Sequence, residues 1–277
     1  MPHLPRKPEL NKDYIFCIYA AVLLLSLFCT NIVESSHLPL LEKIACFSSG
    51  KLSEPSGCVY LADQGALIVV GDKGDISKID TNGTVIKYKR LGNYDLEGIC
   101  YNPVTRLLYS IVESKSLMLE IETEDFVIFR KLSISWILNN KKILRRKDEH
   151  IEGITFVKRA DFPAGGYFVV VNKSNNTARP SALIELSFDV KNAKLISPVK
   201  MTILNILGLT GITVKAETGT FYVTTKDGNR FIELSRSGEM VNQYIMPGRK
   251  IEGICITNNN QFYITDDKEN MIYKIQP

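Results

Sequence analysis

The chain has 277 residues, of which 45% are apolar and 23% charged, and its formal net charge is +4. This composition excludes a disordered protein, a collagen-like repeat and a small disulfide-rich scaffold. So small a positive excess over this length is not the electrostatic footprint of a nucleic-acid-binding protein. We therefore expect a globular chain that is long enough to bury a sizeable core.

An uncharged apolar segment, residues 14–33, comes first along the chain. Twenty helical residues span roughly 30 Å, the thickness of the hydrocarbon core of a bilayer. Three basic side chains precede the segment and Glu34 follows it. The positive-inside rule then predicts a signal anchor, with residues 1–13 in the cytoplasm and residues 34–277 outside it. The alternative is a signal peptide cleaved near Val33–Ser35.

A short string ending in glycine recurs five times after this segment. The strings are Glu54–Gly57, Asp95–Gly98, His150–Gly153, Leu209–Gly211 and Lys250–Gly253. Each is followed by three or four short segments that are rich in β-branched and aromatic residues and that read as strands. Four antiparallel strands in a unit of about 40–45 residues are typical of a β-propeller blade.

The number of repeats predicts an all-β, five-bladed β-propeller of four-stranded blades. The fifth repeat lacks a fourth strand because the chain ends at Pro277, and residues 41–48 are predicted to supply it. The alternative is six blades, with one hidden in a long spacing between strings. The five repeated glycines are predicted to permit close backbone packing or a positive φ.

The ordered set of strings resembles the SdiA-regulated family, over roughly residues 44–277. The resemblance implies a five-bladed propeller distantly similar to NHL-repeat propellers, a calcium site, and a place in the bacterial envelope or periplasm. It implies no established enzymatic activity, although a phytase-like role is suggested by similarity to other propellers. The chain departs from the pattern at Asn172–Lys173, where family members tend to carry an acid, and at Thr210, where three other strings carry Glu.

Carboxylates are the side chains best placed for chemistry. Glu97, Glu152 and Glu252 each precede a repeated glycine, so the repeat brings them around one axis, where they repel one another unless a cation or a proton intervenes. Oxygen ligands of this kind suit calcium. Further candidates end the second strands: Asp72, Glu113, Asp227 and Asp266. The simpler interpretation is that these glutamates cap strands or pair with basic residues.

Histidine and cysteine limit the other possibilities. Of the three histidines only His150 falls in the repeats, which excludes a His-rich zinc site and the histidine-dyad chemistry of lactonase-like propellers. The cysteines of the body, Cys46, Cys58, Cys100 and Cys255, are interpreted as small apolar side chains. A disulfide, for example Cys46 with Cys58 or Cys255, remains open. The basic cluster at 141–147 is interpreted as a solvated loop or, alternatively, an anion-binding loop.

Two functions compete on this basis. The first is a membrane-anchored calcium-binding propeller, anchored in the bacterial inner membrane with its propeller in the periplasm, that acts as a binding or interaction module for a protein or an anionic ligand. The second is a calcium-assisted, phytase-like or phosphoesterase-like hydrolase for an anionic substrate. An interaction platform without metal is a third possibility. No nucleic-acid partner is expected.

Overall fold

A computed structural model describes residues 35–37, 40–47, 52–144, 149–162, 165–187, 195–226, 229–246 and 249–276. The predicted anchor, residues 14–33, lies outside these ranges. Nowhere in them is there a helix with the length and apolar character needed to cross a membrane. Strands make up nearly all of the regular structure, so the all-β prediction is confirmed.

Two strands precede the first repeat, β1 (Ser35–His37) and β2 (Leu40–Cys46). The first unit consists of β3 (Pro55–Leu61), β4 (Ala66–Gly71), β5 (Asp75–Asp80) and β6 (Val85–Arg90). The second consists of β7 (Leu96–Asn102), β8 (Leu107–Val112), β9 (Leu117–Glu122) and β10 (Ile128–Ile134), with a 3-10 turn at Glu113–Lys115. The small hairpin that follows contains β11 (Ile137–Leu138) and β12 (Lys141–Lys142).

The remaining units follow the same order. The third consists of β13 (Glu149–Lys158), β14 (Gly166–Ser174), β15 (Ala182–Ser187) and β16 (Leu195–Ile203). The fourth consists of β17 (Leu209–Val214), β18 (Phe221–Thr225), β19 (Arg230–Leu234) and β20 (Met240–Ile245). The fifth consists of β21 (Ile251–Ile256), β22 (Phe262–Asp266) and β23 (Met271–Gln276).

The fourth strand of the fifth unit comes from the beginning of the described chain. Strand β2 pairs antiparallel with β23, in a register that sets Leu41 opposite Ile275. This confirms the prediction that the segment at 41–48 supplies the missing strand. His37, expected outside the repeats, instead lies in β1, which pairs in parallel with β20 at the outer edge of the fourth unit. Strands from before the first repeat therefore extend the last two units: β2 supplies the fourth strand of the fifth unit, and β1 adds a fifth strand to the fourth.

The first strands of the units surround a common axis. Along the described chain β3 contacts β7, β7 contacts β13, β13 contacts β17, β17 contacts β21, and β21 contacts β3 again. Each buried apolar cluster lies between two neighbouring units, so the core is divided among the junctions. Second strands such as β4 are therefore buried along their whole length, whereas the outer strand β6 is largely exposed. This is the arrangement of a β-propeller.

The repeated glycines permit the close approach of these first strands. A Cβ atom on Gly98 would lie 2.6 Å from the carbonyl oxygen of Glu152, and one on Gly253 would lie 2.8 Å from Cα of Gly57. None of the five has a positive φ. The prediction of close packing is therefore correct and that of a left-handed conformation is wrong, because a side chain is excluded here by the neighbouring backbone.

Candidate metal centre

A β-bulge in the first strand of each unit contains the residue that precedes the repeated glycine. The register between first and second strands shifts at the same place in every unit, for instance between Leu96 and Ile99. A bulge re-aims the side chain that it displaces from the ladder. The five residues so displaced form what we call the inner ring: Ser56, Glu97, Glu152, Thr210 and Glu252.

A second set of equivalent positions follows from the same register. The residue before each bulge pairs with a second-strand residue, as Leu96 pairs with Val112. The next residue along that second strand lies opposite the residue two positions before the inner-ring residue, as Lys173 pairs with His150. These residues form the outer ring: Asp72, Glu113, Lys173, Lys226 and Asp267. The equivalent position in the fifth unit is thus Asp267 and not the predicted Asp266. In the fourth unit it is Lys226, and the predicted Asp227 lies outside the described residues.

Five carboxylates cluster where the first two units meet the third. Oxygen atoms of Asp72, Asp95 and Glu97 all lie within 4.8 Å of one another, and so do oxygen atoms of Glu97, Glu113 and Glu152. We call these five residues the acidic cluster. Glu97 belongs to both groups and links them. The two groups thus contain four of the seven carboxylates predicted from the sequence: Asp72, Glu97, Glu113 and Glu152. Glu252 and Asp266 belong to neither group, and Asp227 lies outside the described residues.

Asp95 is the member that sequence reasoning missed. It stands two residues before Glu97 in the second string, and its backbone carbonyl accepts a hydrogen bond from the backbone N–H of Glu113. The sequence feature that could have identified Asp95 is its position at the start of the string Asp95–Gly98. The equivalent position is occupied by Glu54, His150 and Lys250 in three other strings. Because the residue type varies, the repeat does not identify this position as a ligand.

Two of the three repeated glutamates are neutralised by lysines of the outer ring. Lys173 Nζ lies 2.6 Å from Glu152 Oε1, and Lys226 Nζ lies 2.6 Å from Glu252 Oε1. Both glutamates are buried, with 2% and 5% of their surface exposed. The interpretation that such glutamates pair with basic residues is therefore right for these two. The departure at Lys173 supplies a cation where an acid was expected.

Glu97 has no such partner. Among the described residues, none of the basic side chains lies within ion-pair distance of its carboxylate. The pKa of Glu97 is well above its usual range, chiefly because the side chain is desolvated. Four neighbouring carboxylates raise it further, those of Glu152, Asp72, Glu113 and Glu252. Its ionised form is therefore disfavoured unless a cation is bound.

Two neighbours of Glu97, Asp72 and Asp95, also have raised pKa values. Burial raises the pKa of Asp72 to about 6. The charge on Asp95 raises it as well, whereas a hydrogen bond from the Ser56 hydroxyl lowers it. Burial also raises the pKa of Asp95, and Glu113 adds to the increase. His150, when protonated, is a cationic neighbour of Glu113, since His150 Nδ1 lies 3.3 Å from the Glu113 carboxylate.

The donor set fits a hard divalent cation. It consists of carboxylate oxygens, which calcium prefers and whose irregular arrangement calcium tolerates. The two groups of the acidic cluster contain neither thiol nor imidazole, the ligands that zinc favours. Burial raises the pKa values of Asp72, Asp95 and Glu97, and the charges of neighbouring carboxylates raise them further. A bound cation would offset this repulsion.

The repeated glycines separate this centre from the other end of the axis. The space that they enclose amounts to about 10 Å³, room for no more than one water molecule. Beyond it lies a cavity of about 330 Å³, whose lining includes Cys100, Tyr101, Phe156 and Cys255 but no member of the acidic cluster. Among the described residues, the glycine strings thus leave little space between the acidic cluster and this cavity.

Comparison with known proteins supports the fold and the family resemblance. The model of the SdiA-regulated family matches residues 180–277, which confirms over this stretch the resemblance found in the repeated strings. No curated protein matches the chain.

Several solved structures share the fold, including the following two. Glutaminyl cyclase from Myxococcus xanthus superposes with a TM-score of 0.59 at 13% identity, over 87% of this chain and 95% of that one. The gluconolactonase XC5397 from Xanthomonas campestris superposes with a TM-score of 0.53 at 9% identity, over 84% and 88%. At these identities the likeness concerns the fold alone.

Proposed function

We propose that this protein is a membrane-anchored, calcium-binding β-propeller of the bacterial envelope that acts as a binding module. The observation that carries the proposal is Glu97, which lies within 4.8 Å of four other carboxylate groups and has no described basic partner. Such a cluster repels itself unless a cation is present. The expected role of calcium is to balance this charge and to offer open coordination positions to a partner.

The residues that would hold the ion are those without a lysine. Asp72, Asp95, Glu97 and Glu113 meet this condition, whereas Glu152 belongs to the cluster but is engaged by Lys173. Calcium supplies a Lewis-acidic centre that can receive a carboxylate, phosphate or carbonyl oxygen of a partner. The chain's own contribution is to fix the carboxylates, through the bulge at Glu97 and through the hydroxyl of Ser56 bound to Asp72.

We propose five blades rather than six. The first strands of the described units already contact one another in a closed order, from β3 to β21 and back to β3. The long spacing between the second and third strings contains the hairpin of β11 and β12 instead of a further four-stranded sheet. The closing strand β2 then leaves the fifth blade complete.

The membrane anchor and the periplasmic location are proposed from the sequence. Residues 14–33 have the length and the absence of charge of a membrane span, and the basic residues lie on the N-terminal side. An alkaline phosphatase fusion after residue 277 is expected to be active in a bacterial host. An inactive fusion would place the propeller in the cytoplasm.

A binding role is favoured over hydrolysis because the lysines near the acidic cluster are already engaged in ion pairs. Lys173 and Lys226 are the basic residues of the outer ring, and both are held by buried glutamates instead of being free to bind a phosphorylated substrate. The calcium-assisted hydrolase is thus the alternative that the experiment must distinguish.

The test uses the full chain in detergent, stripped with EGTA and titrated with calcium or magnesium. Calcium at 100 times its dissociation constant is expected to stabilise the protein by about 2.7 kcal/mol, seen as a higher melting temperature. Glu97→Gln should abolish this response, and Glu239→Gln, which changes an exposed acid in a distant turn, should keep it. An unchanged melting temperature in the wild type would refute calcium binding. Calcium-dependent turnover of a phosphomonoester that Glu97→Gln removes would favour the hydrolase.

A further inference from the structure

Two buried cysteines meet where the ring of first strands closes. Cys58 lies on β3 in the first unit and Cys255 on β21 in the last, with 4% and 2% of their surface exposed. Both belong to the apolar cluster between these two units. The strands approach most closely just before the cysteines, where a Cβ on Gly253 would lie 2.8 Å from Cα of Gly57.

The sulfur atom of Cys58 points across the junction toward the strand ladder that contains Cys255. Sγ of Cys58 lies 3.8 Å from the carbonyl oxygen of Tyr263, and Tyr263 is the residue opposite Cys255 in the ladder of β21 and β22. The thiol of Cys58 thus lies beside the backbone of the strand pair that holds Cys255, within one apolar cluster.

The same juxtaposition is missing at the junction of the second and third units. Cys100 lies opposite Tyr109, as Cys255 lies opposite Tyr263, so it holds the equivalent place. The residue after the ring glycine of the next unit is Ile154 there, where the first unit has Cys58. Cys100 and Ile154 share an apolar cluster without a second thiol. Cys100 therefore provides an internal control.

We propose that Cys58 and Cys255 are a site of disulfide formation that covalently joins the first unit to the last. The oxidant is the disulfide of a small molecule or of a thiol–disulfide oxidoreductase. One S–S bond forms between Cys58 and Cys255 while that of the oxidant breaks. The two cysteines give up two electrons and two protons, and the oxidant is released as two thiols. The proposal does not depend on calcium.

The bond would act on ring closure. It connects residues almost two hundred positions apart, and a cross-link over so long a loop strongly restricts the unfolded chain. Without it, the first and last units are held together by their packed apolar surfaces, by strand β2 paired with β23, and by the hydrogen bond from the Glu54 N–H to Asn270 Oδ1. The disulfide would add a covalent restraint against the separation of these two units.

Burial determines when the bond can form. Desolvation holds the pKa of the Cys255 thiol well above its usual range, and the neighbouring Cys58 thiol raises it further. Since the thiolate is the attacking species, exchange in the closed ring is slow. We expect rapid formation during folding, before the junction is buried, and slow formation in the folded, reduced protein.

The test uses the full chain with Cys17→Ala and Cys29→Ala, which leaves Cys46, Cys58, Cys100 and Cys255. The protein is refolded in detergent with oxidised and reduced glutathione, alkylated, digested without reduction and analysed by mass spectrometry. The expected product is a linked pair of peptides containing Cys58 and Cys255. Cys46 and Cys100 are expected to be alkylated. Cys100→Ala should leave the link intact.

The stability readout separates a formed bond from a structural role of the thiols. Dithiothreitol should lower the melting temperature of the oxidised protein by at least about 5 °C, and should have no effect on Cys58→Ala or Cys255→Ala. If either variant fails to fold, the peptide map and the effect of dithiothreitol on the parent chain decide the question. Alkylated Cys58 and Cys255 after oxidative refolding, or pairing of either with Cys46 or Cys100, would overturn the proposal.

Discussion

Lys173 donates a hydrogen bond to Glu152 at 2.6 Å, and this contact gives the candidate metal centre its asymmetry. Burial opposes the charge on Lys173, but Glu152 outweighs it and raises the pKa of the lysine. The pair neutralises the side of the acidic cluster that belongs to the third unit. Uncompensated charge therefore remains around Glu97, between the first and second units.

We predict that Lys173→Met destabilises the protein by about 3 kcal/mol, because it leaves the buried carboxylate of Glu152 without its partner. The free energy of unfolding in urea, measured in EGTA, checks this value. The matched control is Lys200→Met, which breaks the ion pair of an exposed lysine with Glu185 at 2.8 Å. It should cost less than about 1 kcal/mol. Equal losses in the two variants would contradict the role given to Lys173.

The stability of the protein is predicted to fall as the pH rises through the range in which Glu252 titrates. Burial raises the pKa of Glu252 from 4.5 to about 7, even though Lys226 lowers it. The folded state then binds the proton more tightly than the unfolded state does. Stabilisation is complete below about pH 4.5 and is lost by about pH 7, with an amplitude of about 2–3 kcal/mol.

Urea unfolding in EGTA between pH 4 and pH 8 tests this prediction. Other raised groups, such as Asp72, contribute a slope of the same sign, so the informative quantity is the difference between the wild type and Glu252→Gln. In Glu252→Gln the free energy of unfolding should fall less steeply with pH than in the wild type. Glu239→Gln, at an exposed turn, should retain the wild-type slope. A slope unchanged in Glu252→Gln would show that its carboxyl ionises normally.

Gly98→Ala is predicted to cost at least about 3 kcal/mol or to prevent folding, since overpacking against rigid backbone cannot be relieved locally. The new Cβ would lie 2.6 Å from the carbonyl oxygen of Glu152 and 2.7 Å from the backbone nitrogen of Ile154. Gly65→Ala serves as the control. Gly65 has a φ of +61° and open space around it, so only conformational strain of about 1 kcal/mol is expected. Thermal unfolding followed by circular dichroism compares the two.

Removal of β2 is predicted to destabilise the fifth unit severely. A variant that begins at residue 48 leaves the edge of β23 unpaired, whereas one that begins at residue 40 retains the strand. We expect the melting temperature of the shorter variant to fall by more than about 10 °C relative to the longer one. A synthetic peptide of residues 35–47 should restore part of the loss by strand addition. Equal melting temperatures would show that β2 does not close the ring.

Local sequence patterns were sufficient to predict most of the strands and the repeat. Alternating apolar residues and the turns between them are short-range features, and the glycine strings mark the same point in every unit. The closing strand at 41–48 could also be predicted, because the fifth repeat is one strand short. Glu97, Glu113, Glu152 and Asp72 were identified for the same reason, as equivalent positions in repeated units.

The sequence by itself therefore determined the structure of a single unit. It specified the strands, the repeated glycine and the type of side chain that precedes this glycine. The tertiary structure decided which units are neighbours and which side chains meet. It gave Glu152 and Glu252 their lysines, added Asp95 to the acidic cluster and placed Cys58 against Cys255. The pair of Lys173 and Glu152 joins two adjacent strands of one unit, whereas the contacts of Glu252, Asp95 and Cys58 join residues of different units. The contacts between units arise only when the ring closes, because the register of each bulge and the approach of the first strands fix where the side chains point.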